Sequence, residues 1–285
     1  DVPAGGDAYR TLQWDFATIG GQKRDSLARV NASTGALSGA FQHTVTGRPT
    51  TLAAGHGRLY LGGAITDVDG QPRGGLAAFD LSTGRLDTRW RPTADSLVEV
   101  LAIGAGRVYA GGKFRKINDV PGYDRLVALD PASAAIVTGF QPRPSFLTYA
   151  LAVTADGVYS AHGGSGGRVT AYATNGKLRW SATFDGDAQA ITVHGGTIYA
   201  GGHFDRACNT ARTGAQGSCV DGSDNRIKLA ALSMADGHLL DWTADANGVE
   251  GVLALASNAK IGAIAMGGAF TTVEGRQQKR FAQFR

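Results

Sequence analysis

Residues 198–204 read IYAGGHF, and residues 108–114 read VYAGGKF. A short apolar run closed by two glycines is a strand ending at a turn, since glycine permits both the turn and a close backbone neighbour. The pair recurs at Gly20-Gly21, Gly62-Gly63, Gly111-Gly112, Gly201-Gly202 and Gly267-Gly268. A degenerate copy, VYSAH at 158–162, puts Ala161 and His162 in its place. Steps between first positions are 42, 49, 50, 40 and 66 residues. Periods of this length belong to propeller blades or solenoid turns, and solenoid repeats of this length are usually helical. A phosphate cradle would need a helix after the glycines, and none follows.

The flanks repeat as well. After each pair come a turn, an arginine and an apolar run: SLARV (26–30), GLAAFD (75–80), RLVALD (125–130), RVTAYA (168–173), KLAALS (228–233) and RFAQF (280–284). Turns such as ASTG, LSTG and MADG follow, then a segment carrying Phe41, Trp90, Phe140, Trp180 or Trp242. Another alternating run precedes the next pair. Each unit therefore holds four short strands. The expected fold is all-β: a six-bladed β-propeller of four-stranded blades, its ring closed by the N-terminal segment. Residues 1–285 form one domain in this reading, with blades near 1–47, 48–96, 97–144, 145–185, 186–246 and 247–285.

Composition narrows the function. Hydrophobic residues make up 43% and charged residues 18%, which fits a packed core and excludes a disordered chain. The net charge of +4 comes without a Lys/Arg run, so no nucleic-acid partner is expected. No apolar stretch reaches the length of a membrane span. The chain opens DVPAGG, without Met or a signal-peptide core, and reads as processed or trimmed. Cys208 and Cys219 share one Gly/Ser/Asn-rich segment. A disulfide in a secreted, extracellular setting is the expectation, against reduced thiols in a cytosolic loop. Metal binding would need a second ligand pair, so no metal or cofactor is expected. GxSxG, HExxH and paired CxxC motifs are absent.

The order YAGGxF, turn, RxxLAALDxxTG, Trp resembles an actinobacterial-type family of secreted or surface β-propeller repeats, called delta-60 or DUF5122-like repeats. The segment from Gly201 is similar to it, with GGHF, a Cys-bracketed insert and KLAALSMADGHLLDW in family order. The ending GGAFTTVEGRQQKRFAQF is similar too. The resemblance spans nearly the whole chain, most weakly residues 1–19 and the fourth copy. It implies a propeller outside the cytoplasm and carries no catalytic signature.

In a propeller, the loops entering each first strand and leaving each second strand open on one face. Twelve residues before the glycine position lie Thr50, Glu99, Tyr149 and Gln189, and the VE motif aligns Glu250 with them. The chain has three glutamates, and two fall in this ring. Such a pair suits acid/base work, cation binding or sugar hydroxyls, or else serves as repeat residues bonded to backbone or water. The second-strand loops add His162, His203, Asp205 and Arg206, with Lys113, Arg115 and Tyr123 from the third copy and Asp67 and Asp69 from the second. The two histidines suit metal ligation or proton shuttling, or are plain surface residues. DVDG at 67–70 starts like a calcium loop but lacks the later ligands, so it reads as a turn. A short HGGSGG loop beside a long Cys-stapled flap predicts a notch. Arg24, Arg73, Arg125, Arg168, Arg226 and Arg280 recur before each third strand, with Asp80 or Asp130 as candidate partners.

Three functions follow. The first is a recognition module for a carbohydrate or other extracellular small molecule. The second is an enzyme for carbohydrate hydrolysis, elimination or a proton-transfer cyclisation, using Glu99 and Glu250. The third is a spacer in a larger surface protein.

Overall fold

The computed structural model describes residues 9–13, as backbone, and 16–285. The fold is all-β. Its named strands pair antiparallel, and among the described residues the one helical turn is a 3-10 segment at Ala215–Gly217. The repeat unit is a three-stranded meander in which the second strand is central. In repeat two the strands are Val45–Gly55, Arg58–Val68 and Leu76–Asp80. Repeat three has Val98–Gly104, Arg107–Gly112 and Leu126–Leu129. Repeat four has Leu147–Val153, Val158–Gly163, Gly167–Tyr172 and a fourth strand, Leu178–Phe184. Repeat five has Ala188–His194, Thr197–Gly202 and Leu229–Ser233. Repeat six has Val252–Asn258, Ala263–Gly268 and Phe281–Phe284.

The glycine pair has a definite cause. In all five of these repeats the register between first and second strands slips by one residue, at Pro49/Thr51, Val98/Val100, Thr148/Ala150, Ala188/Ala190 and Val252/Ala254. Such a bulge pushes a first-strand carbonyl towards the second strand. A β-carbon on Gly63 or Gly112 would lie 2.2 Å from Arg48 O or Leu97 O, and one on Gly202 would lie 2.0 Å from Asp187 O. The amide of the second glycine then donates to a left-handed residue: Gly63 to Gly75, Gly112 to Arg125, Gly202 to Lys228 and Gly268 to Arg280. That residue's own N–H donates to Ile65, Phe114, Phe204 or Phe270, which fixes the GGxF spacing.

Gly20-Gly21 is a different feature. Both residues have positive φ at the tip of the hairpin Thr18–Ile19/Gln22–Lys23, with open space around them. In repeat one the strand Tyr9–Gln13 pairs with Leu27–Asn31, and Gln13 faces Leu27 as Gly62 faces Leu76. The strand end thus falls seven residues earlier than the glycines suggest. Residues 1–8, expected to help close a ring, lie outside the described residues.

The expected fourth strand forms in repeat four alone among the described residues. Elsewhere it shrinks to single bridges, Val30↔Leu37, Phe79↔Leu86, Leu129↔Ile136 and Leu232↔Leu239. The following aromatic leaves the sheet to pack between consecutive repeats. Trp90 is 0% exposed, lies edge-on to Tyr60 at 4.8 Å, and donates its indole N–H to Asp130 O in repeat three. Trp180, which stays in the fourth strand of repeat four, also donates to Met234 O in repeat five. Burial of such a ring stabilises by about 1.5–3 kcal/mol, more than an edge ladder adds.

Five of the six recurring arginines split into two sets, and Arg168 stands outside both, within the third strand of repeat four. Arg24, Arg73 and Arg226 each place Nη1 on the preceding carbonyl and Nη2 on a carbonyl fourteen residues ahead. Arg125 and Arg280 instead hold the left-handed position. Asp80 and Asp130 are not their partners in these bonds; their carboxylates accept amides two and three residues on, closing the turns. Contacts along the chain divide into two compact bodies at Val137/Thr138, where the sequence predicts one domain. Each has its own apolar clusters, around Trp90 and Phe79 in the first and around Phe204 and Phe270 in the second.

Candidate functional site

Thr50, Glu99, Tyr149 and Gln189 are the extra residues of four successive bulges, which explains their shared spacing. The bulge of repeat six is Leu253, 47% exposed, and not Glu250. Glu250 is an exposed loop residue before left-handed Gly251, so the VE motif is shifted in frame there. Glu99 belongs to the first body and Glu250 to the second. The Thr50 hydroxyl donates to Val98 O of the next repeat. Glu274 accepts the Asp245 N–H.

In the first body, Asp67 accepts the Gly70 amide, and Asp69 holds the Thr44 amide and His43 Nδ1. DVDG is therefore a fastened turn. Lys113 and Arg115 are exposed, and the Arg115 amide is tied to Asp95. Tyr123 is 6% exposed within the core cluster of Trp90 and Phe114, so it presents little surface to a ligand.

In the second body, His162 is 1% exposed, against the expectation of a loop residue at an open face. It occupies the second-glycine place, opposite Thr148. Its Nδ1 lies 3.2 Å from the Thr148 hydroxyl and its Nε2 2.7 Å from the Ser160 hydroxyl. The Ser160 hydroxyl also donates to Thr170 O at 3.2 Å. Burial holds the imidazole pKa down at about 4, leaving it neutral. His203 is half-buried in a separate group. Its Nε2 faces the Asp187 amide, its Nδ1 faces Gln189, and its carbonyl accepts from buried Lys228, which also pairs with Asp205 at 2.7 Å. Among the described residues, no three His, Cys, Asp or Glu side chains are grouped to hold a metal ion.

The Cys208–Cys219 disulfide forms, with a Cα–Cα distance of 5.1 Å. Its flap is carried by the strands Arg206–Cys208 and Ser223–Asn225. The first of these pairs with the last strand of repeat four, through Thr183↔Cys208 and Phe184↔Ala207. The flap therefore extends the sheet of repeat four, across the expected boundary at 185/186. It also closes over the low wall of the predicted notch. A β-carbon on Gly217 would lie 2.2 Å from Gly166 Cα, and Arg168 donates to Ala211 O.

What stays open is a cleft of about 530 Å³ lined by Asp185, Arg206, Gln216, Ser218 and Ser223 beside Cys219. Asp185 accepts the Asp205 and Arg206 amides at 2.9 Å each, which anchors the flap root. The exposed Arg206 guanidinium reaches the Ser223 hydroxyl at 3.4 Å. Of the residues the sequence singles out, Arg206 and Cys219 line this cleft. Asp185 had a readable signal: Asp95 and Asn247 accept the equivalent amide pairs in repeats three and six. Gln216, Ser218 and Ser223 have none, because the flap occurs once.

No family model matches the chain, and no curated protein matches it. Among solved structures, it is similar to the computationally designed Ika4 protein, at 17% identity over 55% of this chain and 86% of that one, with a TM-score of 0.40. It is also similar to the computationally designed Ika8 protein, at 14% identity over 84% of this chain and 86% of that one, with a TM-score of 0.43. No helix among the described residues is long and apolar enough to cross a membrane.

Proposed function

We propose that the six repeats are the blades of a six-bladed β-propeller of the delta-60 type, working outside the cytoplasm as a recognition module. The flap cleft is its binding site, for a carbohydrate or another polar extracellular ligand. The carrying observation is the polar cleft on a disulfide-fastened flap. Asp185 offers an acceptor, Arg206 a fork of donors, Gln216 both, and Ser218 and Ser223 two hydroxyls. Sugar hydroxyls donate and accept at once and need that mixture. The repeated meander supports the propeller, and the disulfide supports an oxidising compartment. Catalysis by a Glu99–Glu250 pair loses the alignment that suggested it.

Glycan arrays and cell-wall polysaccharide pull-downs test the site. The wild-type protein is expected to retain at least one glycan class, and Arg206→Ala to lose about tenfold or more in affinity. Absence of binding to every glycan, or binding untouched by Arg206→Ala, rejects the assignment.

A further inference from the structure

Asp185 and Arg206 bring opposite charges to one cleft, yet among the described residues they form no ion pair with each other. Their neighbours behave differently: Arg212 closes onto Asp221 at 3.1 Å, and Lys228 onto Asp205 at 2.7 Å. We propose that the flap cleft takes a small zwitterion, its carboxylate on Arg206 and its ammonium on Asp185, which is the charge pattern of a short peptide with both ends free. This rests on the reading of the cleft as a binding site for a polar ligand, and it names the ligand's chemistry.

Register aims both side chains. Phe184 pairs with Ala207, and both belong to the core cluster around Phe204. Successive residues of a strand point to opposite sides, so Asp185 and Arg206, next along, turn away from that core and towards the cleft they line. In the flap hairpin Arg206 pairs with Asn225 and Cys208 with Ser223, which puts Ser223 on the side of Arg206. Its hydroxyl, 3.4 Å from the guanidinium, is the one side-chain partner of Arg206 among the described residues. The fork therefore keeps donors for a carboxylate. Asp185 commits Oδ1 to the Asp205 and Arg206 amides. Neutral Asn247 holds the equivalent amides in repeat six with its own Oδ1, so this anchoring needs an oxygen and no charge. The second carboxylate oxygen of Asp185 is left for a cation. Gln216 lines the same cleft in the left-handed region, at φ 55° and ψ 21°. Glycine would adopt that backbone more easily, whereas glutamine adds an amide that donates and accepts beside the two charges. Charges held apart before a ligand arrives save part of the ordering cost of binding. A neutral sugar leaves both charges unanswered, and an anionic one sets like charge against Asp185.

The test is a two-dimensional amide NMR titration of the intact protein with the dipeptide alanyl-alanine, its N-acetyl form and its C-terminal amide, and with the glycans of the array as the comparison. The free dipeptide is expected to shift the amides of Asp185, Arg206, Gln216, Ser218 and Ser223, and to bind about tenfold more tightly than either blocked form. Asp185→Asn keeps the oxygen that repeat six uses, so it is expected to melt with wild type. It should lose about tenfold for the free dipeptide and nothing for the N-acetyl form. Arg206→Ala should lose as much for the free dipeptide and nothing for the amide. Blocked forms that bind as tightly as the free dipeptide, or full affinity in Asp185→Asn, overturn the proposal. A glycan that moves these amides while the dipeptide does not overturns it and leaves the cleft standing as a carbohydrate site. No shift with dipeptide or glycan overturns the cleft reading as well.

Discussion

A β-carbon at Gly202 would sit 2.0 Å from Asp187 O, whereas one at Gly20 would meet nothing within 4 Å. Both glycines open a GG pair or close one, and spacing alone cannot separate them. Gly202→Ala must displace backbone in a bulge, so a loss of about 3 kcal/mol or more is expected. Gly20→Ala meets only the left-handed backbone, at a cost of about 1 kcal/mol. Urea unfolding of the two variants checks this, and equal losses would refute the bulge explanation. His162 makes a prediction about pH. Its folded pKa of about 4 lies below the ordinary value of 6.5. Between those values the unfolded chain binds the proton that the folded chain refuses. This contribution is therefore complete above pH 6.5 and lost as pH falls towards 4, on the order of 3 kcal/mol. His162→Gln is expected to flatten stability across that window in denaturant titrations. The sequence marks this residue as a break in a repeat and as a candidate ligand or proton shuttle on an open loop; its burial depends on the Thr148, Ser160 and Thr170 partners that the fold supplies.

The flap shows where reading a sequence by pattern stops. Two cysteines made the disulfide legible. The docking edge was not, because it rests on two residue pairs, Thr183↔Cys208 and Phe184↔Ala207, too few to leave a periodic trace. The missing fourth strands have a similar origin. The ASTG-type turns were legible, but the ladder beyond them competes with an aromatic that gains more by turning inward. Trp90→Phe keeps most of the ring and removes the N–H to Asp130 O, so a loss of about 1 kcal/mol is expected by chemical denaturation. An unchanged midpoint would mean the indole N–H does not hold the neighbouring repeat. In the flap, the bridge closes a short loop, and loops of that size are stabilised by about 3 kcal/mol. Reduction by a dithiol is expected to speed amide exchange across residues 209–222 at least tenfold. Ile198 and Ala200, inside the meander of repeat five, should keep their protection. Exchange that stays slow after reduction would assign the flap's order to its strand pairing alone.

Along the full chain, one triple recurs from repeat two onward, except in the fourth copy: a bulge, a second glycine against a carbonyl, and a left-handed residue closing the GGxF turn. Its glycine pair made repeats two, three, five and six legible in the sequence, whereas the first copy, Gly20-Gly21, is a hairpin tip outside the triple. Ring closure was not legible in the same way. Repeat one enters the described residues at Tyr9–Gln13, the place of a second strand, and repeat six ends on Phe281–Phe284, the place of a third. Contacts also divide at Val137/Thr138, so a closed six-bladed ring and two independent bodies make different physical demands. A ring of 285 residues should show the compact radius of gyration of about 19 Å in small-angle scattering. It should also unfold in one calorimetric transition with calorimetric and van't Hoff enthalpies equal, because opening any blade exposes both its neighbours. Independent bodies would melt separately and scatter with a larger radius. Two resolved transitions together with that larger radius would reject the closed propeller and leave the meander repeats, the bulges and the flap cleft in place.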